Sequence, residues 1–348
     1  MTPLGTIRRR RLIGLLLGAA LLVLAVLASM AIGTRALAPG TVFGALDHAL
    51  GCAGGPFRCP AESTAEEIVR ELRLPRTALA LICGLALGIT GALIQGYTRN
   101  PLSDAGLLGL NSGAAFLAAL SIFLFGLTAP EHYIWFAFAG ALLAGLVVFG
   151  ASSVGGGKAS PLSLVLAGAA VAAFLQAMTN AVVLMDATAL DTYRFWVVGD
   201  VAGRDAEVFW QVLPFLAVGL LLALAAGPGL NLLSLGDDVA RGLGVHIGRS
   251  RALGLAAIVL LCGAATAAVG PIVFLGLIVP HLARVITGPD YRWLIPYSGL
   301  FGALLLLLAD IAGRVVNRPG ELQVGVMLAA IGAPFFIAYV RRRKLVSL

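Results

Sequence analysis

Charge is what this 348-residue chain has least of. Only 12% of its residues are Asp, Glu, Lys or Arg, against roughly 25% in an ordinary globular protein, so a water-soluble globular fold is excluded. Residues that carry chemistry are as scarce. The four histidines, His48, His132, His246 and His281, are scattered without the spacing of metal ligands, and no metal site is expected. Gly155-Gly-Gly-Lys158 resembles the tail of a phosphate loop, but that loop needs Gly at position 152 and Ser or Thr at 159. Ser152 and Ala159 stand there instead. No catalytic residue can be assigned, and an enzyme is not expected. The apolar runs also lack a carboxylate near their middles: Asp310 and Arg284 lie close to run ends. Proton-driven carriers rely on such groups, which disfavours a self-sufficient secondary carrier and requires energy from elsewhere.

What is present in quantity is apolar: 59% of residues are hydrophobic and the mean hydropathy is +0.97. About 20 apolar residues span a bilayer as a helix. Ten such runs are found, at 12–32, 77–97, 105–127, 133–151, 161–185, 207–227, 252–269, 271–287, 293–312 and 322–340. The expected fold is therefore an all-α membrane domain of ten transmembrane helices over 1–348, with both termini on one side. The 44 glycines suit closely packed helices, as in Gly14-x-x-x-Gly18 and Gly84-x-x-x-Gly88.

Orientation follows from the basic residues of the loops. A cytoplasmic N-terminus places 15 of the 24 basic and 4 of the 17 acidic residues inside, net +11, and leaves net −4 outside. The basic balance is therefore topology and implies no nucleic acid. Arg8 to Arg11 before an apolar run could open a cleaved signal peptide, but that 21-residue run is long for one. An uncleaved first span is expected.

The first outer stretch, 33–76, contains Cys52 and Cys59, a pair able to form a local disulfide outside the cytoplasm, with two free thiols as the alternative. Cys83 and Cys262 fall within apolar runs and read as packing residues. Residues 65–76 suggest a short surface helix ended by Pro75, after which Arg73 and Arg76 sit at the outer mouth of the second span. They read as interfacial anchors or as receivers of a partner's carboxylates. Around Asn100-Pro101 a broken helix and sharp reversal are expected. Gln176 and Asn180, four apart on the fifth run, share one helix face. They read as interhelical hydrogen-bonding residues or as lining of a path. The Phe195–Trp196 pair suits an outer-surface helix within 186–205. Pro271 and Pro280 bracket the eighth run, and the prolines of the two halves hint at inverted repeats.

The organising stretch is 229–251, a polar interruption between two apolar runs. Its charges Asp237, Asp238, Arg241, Arg249 and Arg251 keep it out of hydrocarbon, while Leu232, Leu233, Leu235, Val239, Leu243 and Val245 give it an apolar stripe. One or two short surface helices are expected there, either docking another protein or resting on headgroups.

Together these segments resemble the permease subunits of the iron-siderophore, haem and vitamin B12 ABC importers, the FecCD-type (type II) family. The resemblance rests on Arg73-Leu-Pro-Arg76, Gly91 with Gln95, Asn100-Pro-Leu102, Leu108-Gly109 and Gly113-Ala114. It continues through Leu235-Gly236, Ala240-Arg241, Leu243-Gly-Val245, Gly270-Pro271, Phe274-x-Gly-Leu-Ile-Val-Pro-His281, Ala309-Asp310, Arg314, Glu321-Leu322 and Gly332-Ala-Pro-Phe335. The first 60 residues, with Cys52 and Cys59, lie outside that pattern. The family implies ten helices, a homodimer around a central path, two cytoplasmic ATPase subunits that carry ATP and Mg, and a periplasmic binding protein, in a bacterial inner membrane. This chain itself would bind no cofactor. By resemblance, Leu235, Gly236, Ala240, Arg241, Leu243 and Gly244 form the loop that couples to the ATPase. Arg73, Arg76 and Arg314 would receive acids of the binding protein, and Gln176 and Asn180 lie on the helix lining the path and gate. The implied cargo is an iron complex, haem or a ferric siderophore, with cobalamin as the alternative.

Overall fold

In lipid a backbone must satisfy its own polar groups, which forces apolar runs into helices. Each of the ten expected runs falls on one. The computed structural model describes residues 4–33, 37–51, 63–153 and 161–342; Cys52, Cys59 and Lys158 lie outside them. The chain order is α1 (Leu4–Ala31), α2 (Pro39–Gly51), α3 (Thr64–Glu67), a π-helical turn (Ile68–Arg73), α4 (Leu74–Thr98), a 3-10 turn (Gly106–Leu108), α5 (Leu110–Phe125) and α6 (Pro130–Ser153). There follow α7 (Pro161–Met185), α8 (Ala187–Trp196), α9 (Ala206–Leu233), α10 (Asp237–Gly242), α11 (Ile247–Val269), α12 (Leu275–Thr287), α13 (Tyr291–Val316) and α14 (Val324–Arg342). No strand occurs among the described residues. Seven helices are long and apolar enough to cross a membrane, and Leu110–Phe125, Leu275–Thr287 and Val324–Ala338 are shorter apolar helices.

Two of the short helices are short because the backbone breaks beside them. After α4, Arg99 takes φ 50° and the Asp104 side chain accepts from the N–H groups of Gly106 and Leu107 at 3.0 and 3.3 Å, so the expected reversal forms. The segment before α12 is non-helical yet buried at Gly270, Pro271 and Ile272, as irregular backbone at membrane depth must be. Pro280 does not bracket α12 but lies inside it. Its missing N–H frees the carbonyl four residues back, at Gly276. Gln95 supplies the replacement, its Nε2 donating to the oxygens of Gly276 and Leu277 at 3.3 and 3.2 Å.

Pro75 departs from expectation in the same manner. It does not end a surface helix; α3, the π-helical turn and α4 run on continuously. The turn accommodates the proline by shifting the ladder one residue, so that Leu74 N–H bonds to the Val69 oxygen. Glu66, Arg70 and Arg73 face inward and are buried, while Glu67, Glu71 and Leu72 remain exposed, so the expected surface helix is found as the half-buried start of a longer one.

Helix α4 is the centre of the molecule, with 78% of its most apolar window buried, and it packs against α13, α11 and α12. Its closest approach needs glycine: a Cβ on Gly91 would stand 1.9 Å from the Gly276 oxygen of α12. Helix α1 packs along α13, with Gly14 and Gly18 facing Tyr297 and Leu300. By contrast only 11% of the corresponding window of α7 is covered.

Cys83 and Cys262 are buried free thiols. Every ion pair among the described residues joins two residues expected on the same side of the membrane. The charges therefore gather at two ends of the helix bundle, as alternating crossings require.

Candidate coupling and docking surfaces

At one end, the organising stretch forms a single short helix, because α9 continues through Pro228 to Leu233 and leaves only α10 free. Glycines bound it: Gly236 at φ 107° and Gly244 at φ 83°, a region that L side chains rarely enter. Ala240 is fully buried and anchors the helix, whereas Leu235, Val239 and Leu243 are 60%, 50% and 58% exposed. Val239 on α10, with Leu235 and Leu243 flanking its two ends, gives this segment an exposed apolar edge. Asp237, the first residue of α10, ties this edge to the bundle. It accepts from Arg99 at the end of α4 at 2.5 Å and from Arg251 of α11 at 2.9 Å. Arg99 also donates to the Leu233 oxygen at 2.8 Å. Arg241 pairs with Asp238 within α10 at 3.0 Å. Displacing α10 thus pulls directly on two long helices.

At the opposite end, Arg73, Arg76 and Arg314 line one cavity of about 340 Å³ together with Glu71, Arg204, Asp205 and Glu321. The sequence places these arginines on one side, and the structure brings them together. It also commits them internally. Arg314, 2% exposed, donates to Asp310 at 2.7 Å, to the Ser29 Oγ at 2.7 Å and to the oxygens of Ser29 and Ile32, each at 3.0 Å. Arg73, 5% exposed, donates to the Met30 oxygen at 2.5 Å. Both cations thereby cap the carbonyl end of α1, where helix carbonyls lack partners and the dipole is negative. Arg76 lies between Asp310 at 2.7 Å and Glu321 at 2.6 Å. In this conformation Arg73 and Arg314 are thus largely buried in the cavity wall, with these hydrogen bonds directed into the protein.

Arg204, which the sequence reading passed over, is different. Its Nη1 donates to the Tyr133 hydroxyl at 2.9 Å, its Nε is enclosed without a partner, and it makes no ion pair among the described residues. Nearby, burial pushes the Asp200 carboxyl above its ordinary range, against the opposing pull of the Ala202 N–H and of Arg76.

Gln176 and Asn180 do share a face of α7, with Gln176 Nε2 donating to the Asn180 oxygen at 3.1 Å. Both are exposed in the single chain. Gln176 also hydrogen-bonds Tyr193 of α8, whose hydroxyl burial pushes above its usual range. Asp186 caps α8 by accepting from Ala189 N–H at 2.6 Å; Trp196 is buried and Phe195 exposed.

A wholly helical, glycine-packed bundle with charges at two ends and a clamped helix projecting from one end defines a multi-pass membrane protein with a surface for a partner. The chain belongs to the FecCD transport family, which matches residues 21–342. The match begins well before residue 60, so the C-terminal part of α1 falls within the family match. The chain is 44% identical over 330 residues to the ferric enterobactin transport system permease protein FepD of Escherichia coli (strain K12), covering 95% of this chain and 94% of that one. It is 39% identical over 331 residues to the iron(3+)-hydroxamate import system permease protein FhuB of Bacillus subtilis (strain 168), covering 95% and 83%. To FhuG, named for the same system in that organism, it is 36% identical over 284 residues, covering 78% and 83%. Its fold is similar to a metal-chelate type ABC transporter solved in an inward-facing conformation, with TM-score 0.79, 27% identity and coverage of 94% and 98%.

Proposed function

We propose that this chain is the membrane permease subunit of a bacterial ATP-binding-cassette importer that moves a ferric siderophore inward, with ten crossings and both termini in the cytoplasm. The observation that carries the reading is α10. An exposed apolar edge, glycine-bounded and ion-paired through Asp237 to α4 and α11, is what a separate ATPase subunit needs in order to grip and drive this bundle. The relatives name enterobactin and hydroxamate systems, which favours a ferric siderophore over haem or cobalamin. ATP and Mg belong to the partner subunit, and a periplasmic binding protein delivers the cargo. Its acidic residues meet the outer cavity, where Arg204 makes no ion pair among the described residues and Arg76 exchanges partners at the rim. Differential affinity of the ATP-bound partner for two arrangements of the helices then opens the path alternately to each side. Gln176 and Asn180 sit on the uncovered face of α7 and line that path with a second permease chain.

The resemblance implies that this second chain is another copy. FhuB and FhuG are two different permease proteins named for one system in one organism, which favours a similar but distinct chain. Reconstitution tests the central reading. Vesicles containing the permease pair and its ATPase should accumulate ferric siderophore from the binding protein only with internal ATP and Mg. Accumulation without ATP would overturn it.

A further inference from the structure

Beside α10 lies a cavity that none of the above uses. It measures about 470 Å³ and is lined by Gln95, Gly96, Arg99, Pro101, Ser234, His281, Arg284, Val285 and Tyr291. No carboxylate is among these residues. The segments that carried the family resemblance in both halves, Gln95, Asn100-Pro-Leu102 and Pro280-His281, converge on it. His281 Nε2 lies 2.9 Å from the Pro101 oxygen, which fixes the reversal after α4 as one wall. Arg284 Nη1 donates to Gln95 Oε1 at 2.5 Å, and Gln95 is held through its own Nε2 by the Gly276 carbonyl that Pro280 leaves free and by the neighbouring Leu277 carbonyl. Arg284 is therefore held in place yet makes no ion pair among the described residues. Arg99, the other guanidinium of the lining, shares Asp237 with Arg251 of α11.

We propose that this cavity receives an acidic side chain of the ATPase subunit, as a second contact alongside the apolar edge of α10; the proposal rests on the importer reading above. The position argues for that occupant. Ser234 and Arg99 on its wall adjoin the start of α10, so a protein seated on Leu235, Val239 and Leu243 covers the mouth. Val285, 81% exposed, adds an apolar residue at the cavity rim. A carboxylate entering there meets a fixed guanidinium in a partly desolvated site, where charge-assisted hydrogen bonds are strongest. Because Gln95 and Arg284 join the C-terminal half of α4 to α12, the contact engages α12 directly.

The test measures affinity of the purified ATPase subunit for the permease pair in nanodiscs of neutral phosphatidylcholine, with and without phosphatidylglycerol. Arg284→Gln should weaken binding about tenfold and flatten its dependence on salt, with Arg284→Lys recovering part of it. Arg284→Glu provides an independent variant: it reverses the charge in the cavity while leaving Gln95 Nε2 on its two carbonyls, and thermal unfolding of the pair confirms that the fold holds while the ATPase affinity falls further than in Arg284→Gln. Unchanged ATPase affinity in both Arg284→Gln and Arg284→Glu overturns the proposal. So does a loss confined to phosphatidylglycerol discs, which assigns the cavity to a lipid headgroup. Failure of the unmodified permease pair to bind any ATPase subunit removes the importer reading itself.

Discussion

Asp310 is the most consequential single carboxylate at the outer end. It lies on α13 at 1% exposure, and it holds Arg314 and Arg76 at once; Arg314 in turn caps α1. Removing one partner from a buried pair leaves an uncompensated charge and costs about 3–5 kcal/mol. Asp310→Ala should therefore lose stability of that order in chemical unfolding in detergent, and a loss below about 1 kcal/mol would show the network idle. Arg204 makes the complementary case. It carries no internal ion pair, so Arg204→Gln should leave stability nearly unchanged. Affinity for the cargo-loaded binding protein should fall about tenfold, the scale of one lost charge-assisted hydrogen bond. Affinity within twofold of the unmodified pair would place docking elsewhere. The sequence displays all four arginines on the same side but not which are spoken for. That distinction depends largely on distant partners: Arg76 meets Asp310 and Glu321 from 234 and 245 positions away and Arg314 meets Ser29 from 285, whereas the Asp310–Arg314 pair is four apart on α13.

At the scale of elements, hydropathy located every long helix, since runs of apolar residues have one way to exist in lipid. It misjudged the prolines. Pro75 and Pro280 look like stops because the residue's own geometry says so. The π-helical turn absorbs the first, and Gln95 of another helix satisfies the carbonyl freed by the second. Neither remedy is visible in the neighbouring residues. Helix α10 was more legible, as its charges, bounding glycines and apolar stripe all lie within one stretch. Its role has a direct consequence. Replacing Leu235, Val239 and Leu243 together by Ser removes the exposed edge while sparing buried Ala240 and the Asp237 clamp. The bundle should stay folded by thermal unfolding, and the ATPase subunit should no longer co-purify. Retained association with normal siderophore uptake would refute α10 as the grip. The α4–α12 crossing offers a packing counterpart. Gly91→Leu drives a side chain into the Gly276 carbonyl, and overpacking of this kind typically costs about 1–3 kcal/mol. Stability equal to that of the unmodified chain would mean the two helices are free to separate.

At the scale of the molecule, the bundle is lopsided. Helix α4 is enclosed on nearly all sides, while α7 presents Leu162, Leu166, Phe174, Leu184 and Met185 with exposures above 60% around the polar pair Gln176 and Asn180. Lipid can cover leucine and phenylalanine, but the two amides meet only part of their hydrogen-bonding capacity through each other and Tyr193, and placing the remainder in hydrocarbon is costly. On the proposed importer reading, a second permease chain against this face would resolve the mismatch, with the apolar residues at the seam and the amides bordering an aqueous path. The remaining question is whether that chain is identical. If it is, every residue of the α7 face meets a symmetry-related contact, and one gene product suffices. The two hydroxamate-system permeases that this chain resembles favour the other arrangement. Two differently tagged copies of this chain, co-expressed with a similar permease of the same system, decide between them. Each tag should retain the similar permease in equal amount and should not retain the other tag. Recovery of both tags in one particle, with siderophore uptake intact in the absence of the similar permease, would establish the symmetric pair.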